Sequence, residues 1–220
     1  MEIKGVIFDM DGTLTDSECY ARDLTLSIFT EKGYPINEQF YNGLIGTNRD
    51  TAIKILYEKT KDDKVSAELL DIFAAKMIEA FHNKKIGFKK GAVEIIDYLR
   101  FHDIPTVLAT SANMMKVISS FNSNNMEVPF SHIVTGDMVK KGKPDPEIFL
   151  KAAKLIDIDI NNCLVIEDSY HGIEASLASG AITIMVPDLL PPLEEHLQQG
   201  VLLKKDLFEA LDFIKQNVNL

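Results

Sequence analysis

The sequence predicts an α/β fold in which helices wrap a parallel sheet and a separate helical unit is inserted after the first strand. Three observations predict it. Short, β-branched apolar runs alternate with segments of helical periodicity. The segments between the later runs are near the length that a crossover helix needs. The gap between the first two runs, about ninety residues, is far longer than one crossover requires.

The first run is Ile3 to Phe8. Helical patterns follow over Arg22–Glu31, Thr51–Tyr57 and Ala67–Phe81. In the last of these Leu70, Phe73, Ala74, Met77 and Phe81 recur at helical spacing, with Ser66 as its cap. Polar Lys59 to Lys64 separates it from the helix before. An inserted helical domain bounded near Thr15 and Ile86 accounts for these patterns; the alternative is extra helices packed on the sheet. The second run is Ile104 to Ala109, and Asn122-Ser123-Asn124-Asn125 reads as a surface turn before the third, His132 to Thr135. Asp145 can then cap a helix, Pro146 suits its first position, and Ile148, Phe149, Ala152 and Leu155 form its apolar stripe. The fourth run is Cys163 to Ile166, and Gly180 can end the helix after it. The fifth is Ile182 to Val186, with a weaker sixth at Val201 to Leu203. The expected division is a core of residues 1–14 and 86–220 around a helical domain of residues 15–85.

Composition narrows the function classes. A chain of 220 residues, 46% hydrophobic, can bury a sizeable core. Its net charge of −10 repels a phosphate backbone, so nucleic acid and anionic membrane are poor partners. A local lysine can still reverse the field for one small anion. Cys19 and Cys163 are far apart with no C-x-x-C spacing, which predicts two reduced thiols. The apolar stretch before Asp9 is too short for a signal peptide, and no window approaches a membrane span. A soluble, cytoplasmic monomer is the expectation.

Ligands of open parallel sheets bind at the carboxyl ends of strands. Here the first run ends in Asp9-Met10-Asp11-Gly12-Thr13 and the second in Thr110-Ser111. After the third comes Gly142-Lys143-Pro144-Asp145, and the fourth ends in Glu167-Asp168-Ser169. Asp9 and Asp11, either side of one residue, can face the same way, and Gly12 permits a sharp turn. Crowded carboxylates repel unless a cation joins them, and hard oxygen ligands with room for water favour magnesium. Each piece alone reads as a helix cap, loop polarity or charge run. Their occurrence together and in order is what points to chemistry.

These four motifs resemble those of the haloacid-dehalogenase superfamily, and the resemblance covers nearly the whole chain. It implies a Rossmann-like parallel sheet core with an inserted α-helical cap domain, similar to the subgroup of β-phosphoglucomutase and small sugar-phosphate phosphatases. Asp9 would be the nucleophile, forming an aspartyl-phosphate. Asp11 would protonate the leaving alkoxide and then deprotonate water. Magnesium would be held by Asp9, the Asp11 carbonyl and Asp168, with Glu167 in a supporting position. Thr110, the Ser111 amide and Lys143 would hold the phosphoryl oxygens. The implied partner is a small phosphorylated metabolite, hydrolysed by a phosphatase.

Other reactions within the resemblance fit less well. Dehalogenases lack the second aspartate and the acidic fourth motif. A phosphonatase needs a cap Schiff-base lysine, and Lys76 is more simply a helix-surface residue. The serious alternative is phosphoryl transfer of the β-phosphoglucomutase type, isomerising a hexose phosphate. Arg49 matches a cap loop that in the mutase contacts the distal phosphate. Ala21, however, falls where the mutase has a histidine, which favours hydrolysis. A silent binding protein on the same fold would have lost Asp9, Asp11, Lys143 or Asp168, and all are present.

Overall fold

A computed structural model describes residues 2–218; the outer ends of the expected core segments, residues 1, 219 and 220, lie outside the described residues. Six parallel strands form one sheet: β1 (Gly5–Phe8), β2 (Thr106–Thr110), β3 (His132–Thr135), β4 (Cys163–Glu167), β5 (Ile182–Met185) and β6 (Leu202–Leu203). Their order is β3-β2-β1-β4-β5-β6. Each expected run is a strand, with ends displaced by at most two residues. The central strands β1 and β4 are buried at every position, which is why they read as unbroken apolar runs.

Between β1 and β2 lie α1 (Glu18–Glu31), α2 (Glu38–Asn42), α3 (Arg49–Thr60), α4 (Asp63–His82) and α5 (Ala92–Phe101). The later helices are α6 (Met114–Ser123), α7 (Glu147–Leu155), α8 (Tyr170–Ser179), α9 (Glu194–Gln198) and α10 (Leu207–Asn217). Alternate residues of each strand face opposite layers. Val6 and Phe8 join Leu164 and Ile166 under α5, α6 and α10. Ile7 joins Val107 and Val165 under α7 and α8. Cys163 is buried on this second face, where burial pushes its thiol up to about 11, while Cys19 is exposed; both are free.

Several local expectations are corrected. Helix α1 starts at Glu18, before Arg22, and α2 was not foreseen; Asn37 caps it by accepting the Phe40 N–H. Helix α4 is capped by Asp62, not Ser66. Lys61, at φ 55°, ends α3 in the left-handed region, so the chain turns within two residues and most of the polar stretch is helical. Ser66 lies inside α4 and bonds the hydroxyl of Thr60. Asn122 and Ser123 belong to α6, leaving the turn to Asn124 and Asn125. Pro146 occupies the cap position of α7, although the Asp145 side chain still accepts the Glu147 N–H.

Helices α1 to α4 have an apolar cluster of their own, Ile28, Phe29, Leu56 and Leu69. A second cluster, with Ala21, Tyr41, Met77 and Phe81, takes in Leu190 from beyond β5 and so ties this unit to the sheet. The two connecting segments lie side by side. Asp16 N donates to Gly87 O at 2.9 Å and Lys89 N to Leu14 O at 2.8 Å. Lys89 Nζ also pairs with Asp188 at 2.6 Å. No helix among the described residues is long and apolar enough to cross a membrane.

Candidate active site

The strand order reverses between β1 and β4, because the chain builds one half of the sheet outward from β1 and then returns to start the other. The crevice at the carboxyl end of such a switch is where open α/β sheets bind ligands. Asp9 leaves β1 there, and Asp168 leaves β4 beside it. Asp9, Glu167 and Asp168 are all buried, and each offers an oxygen within 4.8 Å of the others. Gly12 makes this approach possible: its φ is 77°, and a Cβ there would collide with the Asp168 carboxylate. Thr13 donates its hydroxyl to Asp168 Oδ1 at 3.1 Å.

A lysine enters from the loop before α7. Lys143 is 1% exposed, lies over the Phe149 ring, and donates to Asp9 Oδ1 at 2.6 Å and to Glu167 Oε1 at 2.5 Å. Glu167 Oε2 accepts the Asp168 and Ser169 N–H groups and the Ser169 hydroxyl. Glu167 is thus saturated with donors, while Asp9 and Asp168 keep oxygens to offer elsewhere. Burial would lower the Lys143 pKa, but Asp9 and Glu167 override it and hold the ammonium charged. Burial, reinforced by Glu167, pushes the Asp9 carboxyl up to about 8 against the opposing pull of Lys143. Asp168 is driven well above the carboxylate range by burial and by the charges of Glu167 and Asp9.

Asp11 faces a second group of residues. Its Oδ1 accepts from Ser17 Oγ and pairs with Lys116 Nζ, both at 2.8 Å. Lys116 comes from the first turn of α6, whose cap, Asn113, follows β2 closely. Glu18 is buried nearby and accepts the Tyr41 hydroxyl at 2.8 Å. Burial lifts the Glu18 carboxyl to about 7, with Asp11 adding and Lys116 and Tyr41 opposing.

The loop between α2 and α3 covers the crevice. Ser111 Oγ donates to Gly46 O at 2.8 Å, and His171 Nδ1 meets Ile45 O at 2.9 Å. A Cβ at Gly46 would strike Ser169, and one at Gly142 would strike Asn48. Under the loop lies a cavity of about 680 Å³, walled by Asp9, Asp11, Thr110, Ser111 and Arg49 among others, that runs on into the helical unit.

The residues singled out in the sequence are distributed as follows. Asp9, Lys143, Glu167 and Asp168 form one buried cluster. Asp11, Thr110 and Ser111 line the adjoining cavity. Thr110 Oγ1 accepts the Ala112 N–H at 3.1 Å. Arg49 reaches the cavity wall, but its guanidinium pairs with Asp71 at 2.7 Å and donates to Ala67 O. Lys116, Ser17, Glu18 and Tyr41 were not singled out by the sequence reading. For Lys116 a signal existed, namely its place in the first turn of a helix that follows a site strand.

The chain is similar to known proteins along most of its length. The family model described as haloacid dehalogenase-like hydrolase matches residues 6–186. The bifunctional riboflavin kinase/FMN phosphatase of Arabidopsis thaliana is 32% identical over 87% of this chain, which spans only 50% of that relative's length. The phosphorylated carbohydrates phosphatase of Thermotoga maritima is 28% identical over 81% of this chain and 82% of its own. A crystal structure of a hydrolase from Pseudomonas syringae shares 26% identity and superposes with a TM-score of 0.87, covering 98% of this chain and 100% of that one.

Proposed function

Since the chain belongs to the haloacid dehalogenase-like hydrolase family, we propose that it is a magnesium-dependent phosphatase that hydrolyses a small phosphate monoester through an aspartyl-phosphate on Asp9. The observation that carries this reading is the buried meeting of Asp9 and Asp168 beside Lys143. Three carboxylates against one ammonium leave the cluster short of positive charge, which fits a hard divalent cation. Asp9, Asp168 and the Asp11 carbonyl would hold it, with Glu167 keeping Lys143 and the β4 loop in place. When bound, the cation supplies charge that keeps Asp9 ionised and offsets the phosphoryl oxygens.

The chain's own groups then divide the work. An Asp9 carboxylate oxygen bonds to phosphorus as the bond to the ester oxygen breaks, and Asp11, entering the step protonated on Oδ2 while Oδ1 keeps its bonds to Ser17 and Lys116, gives that oxygen its proton. Lys143, Thr110 and the Ser111 amide oppose the charge on the phosphoryl oxygens. Asp11, now ionised, takes a proton from the water that attacks phosphorus and frees Asp9. The helical unit, hinged where residues 14–16 meet 87–89, closes over the site during the first half-reaction.

Hydrolysis is favoured over mutase chemistry by Ala21, which offers no proton relay between Asp11 and a substrate hydroxyl. The test is phosphate release from p-nitrophenyl phosphate with and without magnesium, beside a β-glucose 1-phosphate isomerisation assay. Release that needs the metal, without isomerisation, is expected; isomerisation at a comparable rate would overturn the phosphatase assignment.

A further inference from the structure

We propose that the leaving group of the substrate carries a bulky apolar body, which lodges in a chamber inside the helical unit. This rests on the phosphatase reading, since the phosphoryl end must sit at Asp9. The cavity holds about 680 Å³, far more than a phosphate with a short polyol needs. That volume spans the open crevice at Asp9 as well as its extension between the helices, and since protein interiors otherwise close-pack, the extension is space kept for a ligand.

Its two ends differ in chemistry. Near Asp9 and Asp11 the wall carries Asn113, Lys116, Glu18 and Tyr41. Farther in, half-buried Leu70, Phe73 and Ile78 of α4 face it, backed by the packed side chains of Phe29, Leu56 and Met77. Thr25 is a polar residue in that wall, but its hydroxyl already donates to Ala21 O at 2.7 Å. A hexose or polyol brings a hydroxyl on nearly every carbon, and most of them would lose water against this apolar stretch without gaining a partner. An aromatic or branched hydrocarbon body loses only unfavourable contact with water. The chamber therefore selects against the sugar phosphates that the motifs alone suggest.

The test compares 2-phenylethyl phosphate with glycerol 3-phosphate, two primary alkyl monoesters of equal charge at the phosphate. Binding to the Asp9→Asn protein with magnesium is measured by calorimetry, so that turnover does not enter. The phenylethyl ester should bind at least about tenfold more tightly. Ala74→Phe, which fills the chamber from half-buried α4, should erase that preference while leaving the glycerol ester within about twofold. If Ala74→Phe fails to fold, Ile78→Asn tests the same wall by adding polarity at similar volume. Equal affinities, a preference for the glycerol ester, or a preference that survives a folded variant would overturn the assignment. Wild-type turnover of p-nitrophenyl phosphate is scored separately. Metal-dependent release without a binding preference sinks the chamber alone; a preference with no turnover of any ester sinks the phosphatase reading and leaves an apolar phosphoester site.

Discussion

Lys143 shares one ammonium between Asp9, at 2.6 Å, and Glu167, at 2.5 Å. The lysine is therefore structural as well as electrostatic. Lys143→Ala leaves two buried carboxylates without their cation and should cost about 3–5 kcal/mol of stability. Urea unfolding followed by circular dichroism measures it. A loss below about 1 kcal/mol would mean that water or relaxation compensates the pair.

Metal removal should be visible without any substrate. A ligand that binds only the folded state at a hundred times its Kd stabilises by about 2.7 kcal/mol, roughly 5–10 °C in Tm for a chain of this size. Magnesium should produce a shift of that order by calorimetry, and Asp168→Asn should remove it. An undiminished shift in the variant would place the ion elsewhere.

The two motif-one aspartates should fail differently. Asp9→Asn should lower turnover of every ester by about 10⁴-fold or more, as expected for loss of a nucleophile. Asp11→Asn should slow alkyl esters by about 10²–10⁴-fold, yet form phosphoenzyme from p-nitrophenyl phosphate, whose leaving group needs no proton. Rapid quench and mass spectrometry of the intact protein distinguish the two.

Glu18 should leave a mark on the pH dependence of folding. Its carboxyl titrates near 7 in the folded protein against an ordinary 4.5. A raised folded pKa gives stability that is present below the ordinary value and lost as pH climbs through the folded one. Between these limits the folded state should lose up to about 3 kcal/mol from this group. Asp9 and Asp168 shift in the same direction, so the difference between wild type and Glu18→Gln isolates it. The variant should show a shallower decline across that range in urea unfolding. Parallel curves would contradict burial as the cause.

Gly172 offers a steric test of the β4 loop. A Cβ there would collide with the Glu167 carboxylate, which the Lys143 ammonium and three donors hold in place. Gly172→Ala should reduce both stability and the magnesium shift, although the residue touches neither substrate nor ion. A variant with wild-type Tm and shift would show that Glu167 is free to move.

Much of this was legible in the sequence for identifiable reasons. Strands buried on both faces leave continuous apolar runs, so β1 and β4 and the carboxylates at their ends were readable directly. Short-range competition was harder. Asp62 won the cap of α4 over Ser66 because Lys61 adopts a left-handed conformation, which no periodicity reveals. Lys116 was not legible because α6 reaches Asp11 from about a hundred residues away, and Glu18 because nothing local shows that Tyr41 of α2 closes over it. Arg49 was legible as a cap-loop charge, but its tie to Asp71 was not.

Ser111 and His171 grip the covering loop through the carbonyls of Gly46 and Ile45. Those acceptors belong to the main chain and persist whatever side chains surround them. Substitutions on α1, α3 and α4 can consequently reshape the cavity without loosening the loop that covers it. A lineage built this way can vary the far end of its cavity while the cluster around Asp9 stays as it is.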